Sequence, residues 1–279
     1  MLKKYSACFL LLLSLVTHFS HAQVRQIAIT IDDLPFVGTT NNKPGNLKRE
    51  HDRFMNIMQA LIDHNVPATG FVFVGSIEQG QWELLEKFHK AGFVIANHTY
   101  SHLNLNQTNA QKYIDDIARG DKILTPLFSD QKFFRYPYLA EGKGDTKQQV
   151  HDYLAANQYI VAPVTIDSKD YRFNEQLFAI PFRSRDKNLS QMKRRYLNYI
   201  WNQTLKAEKK AQDKPVKQIL LIHANLLNSH FLGDIIQMYK DNGYEFISLS
   251  EALSNSDPSL VSQSTSSIPS IYHSNPEPI

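Results

Sequence analysis

Seven short runs of apolar and β-branched residues, at 26–31, 69–74, 93–96, 132–135, 160–166, 217–222 and 244–249, punctuate this chain. Most are separated by segments whose apolar residues recur at helical spacing, at 47–64, 81–90, 109–124, 146–157, 188–211 and 230–241. A helix that crosses back over a sheet returns the chain to the end where it began. The next strand then runs parallel to the last, and the alternation predicts an α/β fold with a mainly parallel sheet and crossover helices. Runs that are apolar throughout suit strands covered on both faces, and about seven of them can close as a distorted (β/α) barrel in a single domain.

Polar residues gather where these runs end. Asp32-Asp33 close the first, Asn97-His98-Thr99-Tyr100-Ser101-His102 follow the third, and Arg135 to Tyr138 the fourth. Asp167 to Asp170 and His223 follow the next two. The carboxyl ends of parallel strands share one face, so five clusters distant in sequence are expected to converge. Neighbouring carboxylates repel unless a cation offsets them, and two neutral imidazoles with one carboxylate make a three-ligand divalent metal site with room for water. That is the donor set of a metal-assisted hydrolase. Adjacency does not say which of Asp32 and Asp33 would ligate.

Each cluster alone has a plainer reading. Histidines four apart can lie solvated on one helical face, Asp-Asp before Pro35 can be a turn, and Arg135 can be a structural ion-pair partner. Asp167 and Asp170 can cap a loop, and His223 can be a satisfied core histidine. Their shared position after strands favours the functional reading. His51, His64, His89, His151 and His230 have no such placement and are read as structural or surface residues.

At the amino terminus Lys3 and Lys4 precede an apolar stretch from Ala7 to Val16, and Ser20 and Ala22 frame a cleavage point before Gln23. Residues 1–22 are expected to be a removed signal peptide, which makes the protein periplasmic or secreted. The stretch is shorter than the ~20 residues that span a bilayer, so no membrane anchor is expected after cleavage. Cys8 is the only cysteine of 279 residues and lies inside the signal, so the 257-residue mature chain needs no disulfides. Loss of the two lysines takes the formal charge from +3 to +1, which leaves no electrostatic case for nucleic acid. From 254 to 279 the chain is rich in Ser, Asn, Pro and Gln and is expected to be a disordered tail after a domain spanning 23–253.

The ordered clusters resemble the motifs of the polysaccharide deacetylases of carbohydrate esterase family four, the NodB-homology family, over roughly residues 26–250. Thr30-Ile31-Asp32-Asp33-Leu34-Pro35 resembles Thr-Phe-Asp-Asp-Gly-Pro, and His98-Thr99-Tyr100-Ser101-His102 resembles His-(Ser/Thr)-x-x-His. Arg135-Tyr136-Pro137-Tyr138 resembles Arg-x-Pro-Tyr, Leu221-Ile222-His223 resembles Leu-x-His, and Asp167 to Tyr171 a looser fourth motif with tyrosine in place of tryptophan.

The resemblance implies a divalent metal, first of all Zn²⁺, on Asp33, His98 and His102, with Asp32 as general base. It implies that the backbone N–H of Tyr138 steadies the oxyanion and that His223 protonates the leaving nitrogen. Arg135 is the candidate cation for Asp32, and Asp170, with Asp167 second, the candidate partner of His223. The implied activity is removal of acetyl groups from an N-acetylated glycan. Alternatives are an O-acetyl esterase on acetylated polysaccharide, a non-catalytic carbohydrate-binding protein on the same scaffold, and a metal-stabilised structural domain. Leu34, where the family has glycine, is expected to border the metal and narrow the groove. The segment from Tyr171 to Lys187, with Phe173, Phe178, Phe182, Arg183 and Arg185, reads as a long loop at the rim.

Overall fold

The computed structural model describes residues 24–211 and 217–254, so the expected signal segment with Cys8 and the tail beyond 254 lie outside the described residues. Eight strands form one sheet: β1 (Arg25–Leu34), β2 (Ala68–Val72), β3 (Val94–Asn97), β4 (Lys132–Phe134), β5 (Tyr159–Val161), β6 (Ile166–Asp167), β7 (Gln218–His223) and β8 (Tyr244–Phe246). The helices are α1 (Pro44–Asp63), α2 (Trp82–Lys90), α3 (Ala110–Leu124), α4 (Gly144–Ala156), α5 (Asp170–Ala179), α6 (Phe182–Lys210), α7 (Leu226–Asp241) and α8 (Leu249–Leu253). Every pairing is parallel, in the order β5-β4-β3-β2-β1-β7-β6, with β8 on β1. The predicted parallel architecture is thus present as a curled half-barrel. No helix among the described residues is long and apolar enough to cross a membrane.

The apolar run at 160–166 is not one strand. β5 pairs with β4 and β6 with β7, at opposite edges of the sheet. Between them Ala162 donates its N–H to Phe134 O (2.8 Å) and Thr165 to Ile219 O (3.1 Å). Three Cα steps of about 3.8 Å hold those two edges within about 11 Å, which forces the sheet to curl. Pro163, without an N–H, interrupts the ladder there.

Side chains alternate between the two faces of each strand. On β1, Ile27, Ile29 and Ile31 join the outer core, where Phe54, Ile57, Met58 and Leu61 of α1 and Leu232, Ile235 and Ile236 of α7 cover the sheet. Each such side chain fully buried contributes about 1.5–3 kcal/mol. The inner face carries small residues, Ala28, Ala96 and Ala162, beside Phe71, Phe133 and Ile219. Ile247, with Leu249 and Ala252 of α8, closes this inner layer, and the Ser248–Glu251 capping box starts that short helix.

Two expectations need correction. The rim segment 171–187 is not a long loop but most of α5 and the start of α6. Only Asp170 and Leu177 of α5 are buried, and the buried residues of α6 begin at Met192, so neither stretch has a helical stripe of apolar residues to read. Leu34 does not border the groove: it is fully buried in the outer core. It fills the space left by Gly70 on β2, where a Cβ would lie 2.1 Å from Leu34 Cδ1.

Gly70→Ala should therefore destabilise the protein, and Leu34→Ala should cost about 2–5 kcal/mol through the cavity it leaves. Combined, the two should cost less than their sum. Urea denaturation of both single variants and the double variant checks this; strict additivity would show that the contact does not couple them.

Candidate active site

All five polar clusters reach the carboxyl ends of the strands. Strand alternation turns Thr30 and Asp32 inward from β1, and would turn the next residue, Asp33, outward into the apolar layer. The pairing of β1 with β2 shifts there, with Ile31 opposite Gly70 but Leu34 opposite Val72. Three steps on β1 therefore match two on β2. This bulge, with Asp33 in the left-handed region (φ 60°), brings both carboxylates to the site and returns Leu34 to the outer face. Thr99 (φ 67°), His102 (φ 53°) and Tyr138 (φ 59°) adopt the same conformation, which costs a residue bearing a Cβ.

Asp33, His98 and His102 form the one group among the described residues whose ligand atoms all lie within 4.8 Å of one another. Asp33 Oδ1 is 3.3 Å from His102 Nε2 and 3.7 Å from His98 Nε2. Tetrahedral bonds of about 2.0–2.2 Å separate ligand atoms by about 3.3–3.6 Å, so these donors fit a zinc-sized ion. Asp33 Oδ1 is buried and makes no hydrogen bond of normal geometry, a state that a cation would relieve. His98 Nδ1 lies 2.8 Å from the carbonyl oxygen of Arg135. A carbonyl only accepts, so Nδ1 carries the proton and Nε2 presents its lone pair to the site. The ring of His102 sits between Phe73 (5.2 Å between centroids) and Tyr138 (4.6 Å).

Asp32 is held differently. Arg135 Nη1 donates to its Oδ1 (2.7 Å) and to Thr30 Oγ1 (2.8 Å), while Nε and Nη2 donate to the carbonyls of Ala162 and Pro163 (both 3.3 Å). The guanidinium carbon lies 4.3 Å from the centre of the Phe71 ring. Asp33 Oδ1 thus approaches both histidines, whereas Asp32 turns Oδ1 to Arg135 and reaches only His98, with Oδ2 3.8 Å from its Nε2. On the neighbouring strand His223 is the register partner of Asp32. Its Nδ1 is 2.7 Å from Asp170 Oδ1, whereas Asp167 is occupied by the Lys169 ammonium at 2.7 Å.

A family model for polysaccharide deacetylases matches residues 20–161, about half the chain. The chain belongs to the polysaccharide deacetylase family. The match covers Asp32, Asp33, His98, His102, Arg135 and Tyr138; Asp170 and His223 lie beyond it and join the others only through the fold. A peptidoglycan-N-acetylglucosamine deacetylase of Bacillus cereus is 27% identical over 53% of this chain and 46% of its own length. A chitin deacetylase of Arthroderma benhamiae is 29% identical over 37% of this chain and 28% of its own. The chain thus spans less than half the length of these curated relatives. Among solved structures, a mutant of a pseudoenzyme of carbohydrate esterase family four from Bacillus anthracis, with restored activity, shares the fold at 18% identity (TM-score 0.58, 83% of this chain and 68% of that one).

In this polysaccharide deacetylase fold, burial pushes the His98 imidazole down to about 4 despite the pull of Asp32 and Asp33, which keeps it neutral and able to ligate. Burial raises the Asp33 carboxyl, but His102, then His223 and His98, more than reverse this and hold it below the usual carboxylate range. For His223, burial acts downward, yet the charge and hydrogen bond of Asp170, joined by Asp33 and Asp32, raise it to about 10.

Some supporting residues escaped the sequence reading. Asn225 and Asn228 both donate to Asp170, and the only trace of them is an N-cap asparagine two residues after His223. Asn97 and Asp116 fasten the histidine turn, the first by accepting from Thr99 N–H and the second from Ser101 N–H. Nothing in their local pattern marks them.

Zn²⁺ should raise the melting temperature of the parent and EDTA should lower it, by about 3 kcal/mol of linkage at one hundred times Kd. His98→Ala and His102→Ala should lose that response; a full response in either would remove that residue from the ligand set. Arg135→Leu, which leaves Asp32 buried without its cation, should cost about 3–5 kcal/mol in denaturant unfolding. The folded pKa of His223 lies above its ordinary value, so its pairing with Asp170 stabilises fully below about pH 6.5 and is lost as pH rises through about 10. Asp170→Asn should flatten that alkaline slope in stability against pH.

Proposed function

We propose that this chain is a divalent-metal-dependent hydrolase that removes acetyl groups from N-acetylated sugars of a glycan, releasing acetate and leaving a free amine. One observation carries the reading: Asp32 and His223 are register partners on adjoining strands, beside the converging donors of Asp33, His98 and His102. The names of the relatives, deacetylases of peptidoglycan N-acetylglucosamine and of chitin, support an N-acetylated substrate. The signal-like sequence of residues 1–22 supports action in the periplasm or outside the cell.

Bound to the three donors, a divalent cation such as Zn²⁺ would supply Lewis acidity toward the acetyl carbonyl and acidify a water. Asp32, with Oδ1 engaged by Arg135, accepts that water's proton on its remaining oxygen as general base. The backbone N–H of Tyr138 donates to the carbonyl oxygen as negative charge develops there. His223, kept protonated by Asp170, delivers a proton from Nε2 to the leaving nitrogen, because an amine departs poorly as an anion. Asp167, paired with Lys169, leaves the place against His223 Nδ1 to Asp170.

The full chain supplied with Zn²⁺ is expected to release acetate from chitin oligomers or peptidoglycan fragments, and EDTA to stop it. Release from acetylated xylan alone would make it an O-acetyl esterase. No release from any of these would favour a binding protein, a reading to which the pseudoenzyme among the structural relatives gives some support. Asp32→Asn should lower kcat by about 10²–10⁴-fold while sparing metal uptake. His223→Ala should impair an amide substrate more than an ester, because an alkoxide needs less help to leave.

A further inference from the structure

Asp170 is fully buried at the first position of α5, yet four N–H groups reach it. Oδ1 accepts from His223 Nδ1 (2.7 Å), and Oδ2 from the backbone N–H of His223 (2.7 Å), Asn225 Nδ2 (2.8 Å) and Asn228 Nδ2 (2.6 Å). A carboxylate oxygen offers about two lone-pair sites, so Oδ2 is fully engaged while Oδ1 is turned to His223. The two asparagines differ in what else they do. Asn225 caps α7, its side chain accepting from Asn228 N–H (2.9 Å). The Asn228 side chain makes no cap bond. Its second Nδ2 hydrogen goes to the carbonyl of His223 (2.9 Å), and its Oδ1 accepts from the Tyr196 hydroxyl (2.9 Å).

A flipped Asn228 amide would set its oxygen against a carboxylate and a carbonyl and lose the Tyr196 donor, so only one orientation is tolerable. That orientation ties the partner of His223 and the backbone of His223 to one planar group. We propose that Asn228, oriented by Tyr196, is a positioning residue that clamps Asp170 against Nδ1 of His223 and so fixes the direction in which His223 presents Nε2. Its effect on turnover rests on the deacetylase reading; the clamp itself does not. The charged groups that act on His223 are Asp170 from α5 and Asp32 and Asp33 from β1, while α6 and α7 contribute the neutral Tyr196, Asn225 and Asn228. None of the neutral three adds a charge, so their removal tests geometry.

The experiment compares the full chain, Zn²⁺ present, with Tyr196→Phe and Asn228→Ala. The Nδ1 proton of His223 is read by ¹⁵N-edited NMR and assigned by its loss in His223→Gln. The parent should show a protected, far-downfield line. Asn228→Ala should broaden it into exchange with water and Tyr196→Phe should weaken it. On an N-acetyl substrate kcat should fall about tenfold with its alkaline limb at lower pH, while KM and Zn²⁺ affinity stay put. Tyr196→Phe keeps the buried ring and guards against a folding artefact in Asn228→Ala. Absence of the line in the parent, or an unchanged line and pH profile in a folded Tyr196→Phe and Asn228→Ala, would overturn the clamp. If the parent releases no acetate, the deacetylase reading fails, and the proton line still decides the clamp.

Discussion

The guanidinium of Arg135 is buried in the middle of the curled sheet, where a charge is tolerable only if it is paired and hydrogen-bonded. It is both. Asp32 and Thr30 on β1 take one nitrogen, and the carbonyls of Ala162 and Pro163, in the link between the sheet edges, take the other two. Phe71 on β2 lies beneath it. The same residue uses its backbone: its N–H donates to Asn97 O (3.2 Å) and its carbonyl accepts from His98 Nδ1. Edge closure, the placement of Asp32 and the tautomer of His98 therefore depend on one side chain and its peptide.

Around that anchor the backbone departs from regularity where the chemistry gathers. Asp33, Thr99, His102 and Tyr138 all have positive φ, although none is glycine. The surrounding bonds explain how the histidine turn is held: Asn97 Oδ1 accepts from Thr99 N–H, Thr99 Oγ1 from His102 N–H, and Asp116 from Ser101 N–H. Gly120 on α3 lets this turn approach, since a Cβ there would lie 2.9 Å from Asn97 Oδ1. Thr99 and His102 thus stand on a hydrogen-bond frame that offsets their cost.

Much of the architecture was legible because burial imposes periodicity. The apolar runs of β1, β2, β3 and β7, and the stripes of α1, α3 and α7, report which face is covered, and the structure has them within a few residues of the expected bounds. Elements with little to bury were illegible. β6 has two residues, α5 buries only Asp170 and Leu177, and the first ten residues of α6 bury none. β8 ended earlier than expected because Ser248 begins a capping box, so its last apolar residues serve α8 and the closure of the inner layer.

The amino-acid sequence by itself determined the parallel α/β layout and the convergence of strand-end clusters, because period and order suffice for both. It also supplied a donor set that suits a divalent cation. Tertiary structure alone decided which carboxylate joins the histidines, because a one-residue bulge and a left-handed Asp33 reverse the face that alternation assigns. It alone decided that Asp170 rather than Asp167 meets His223, and that Asn225 and Asn228 hold it, because those partners lie on different elements. A sequence pattern records how often a residue is covered along its own element. Which atom faces which across elements depends on register and curl, and these arise only when the edges at Ala162 and Thr165 are drawn together.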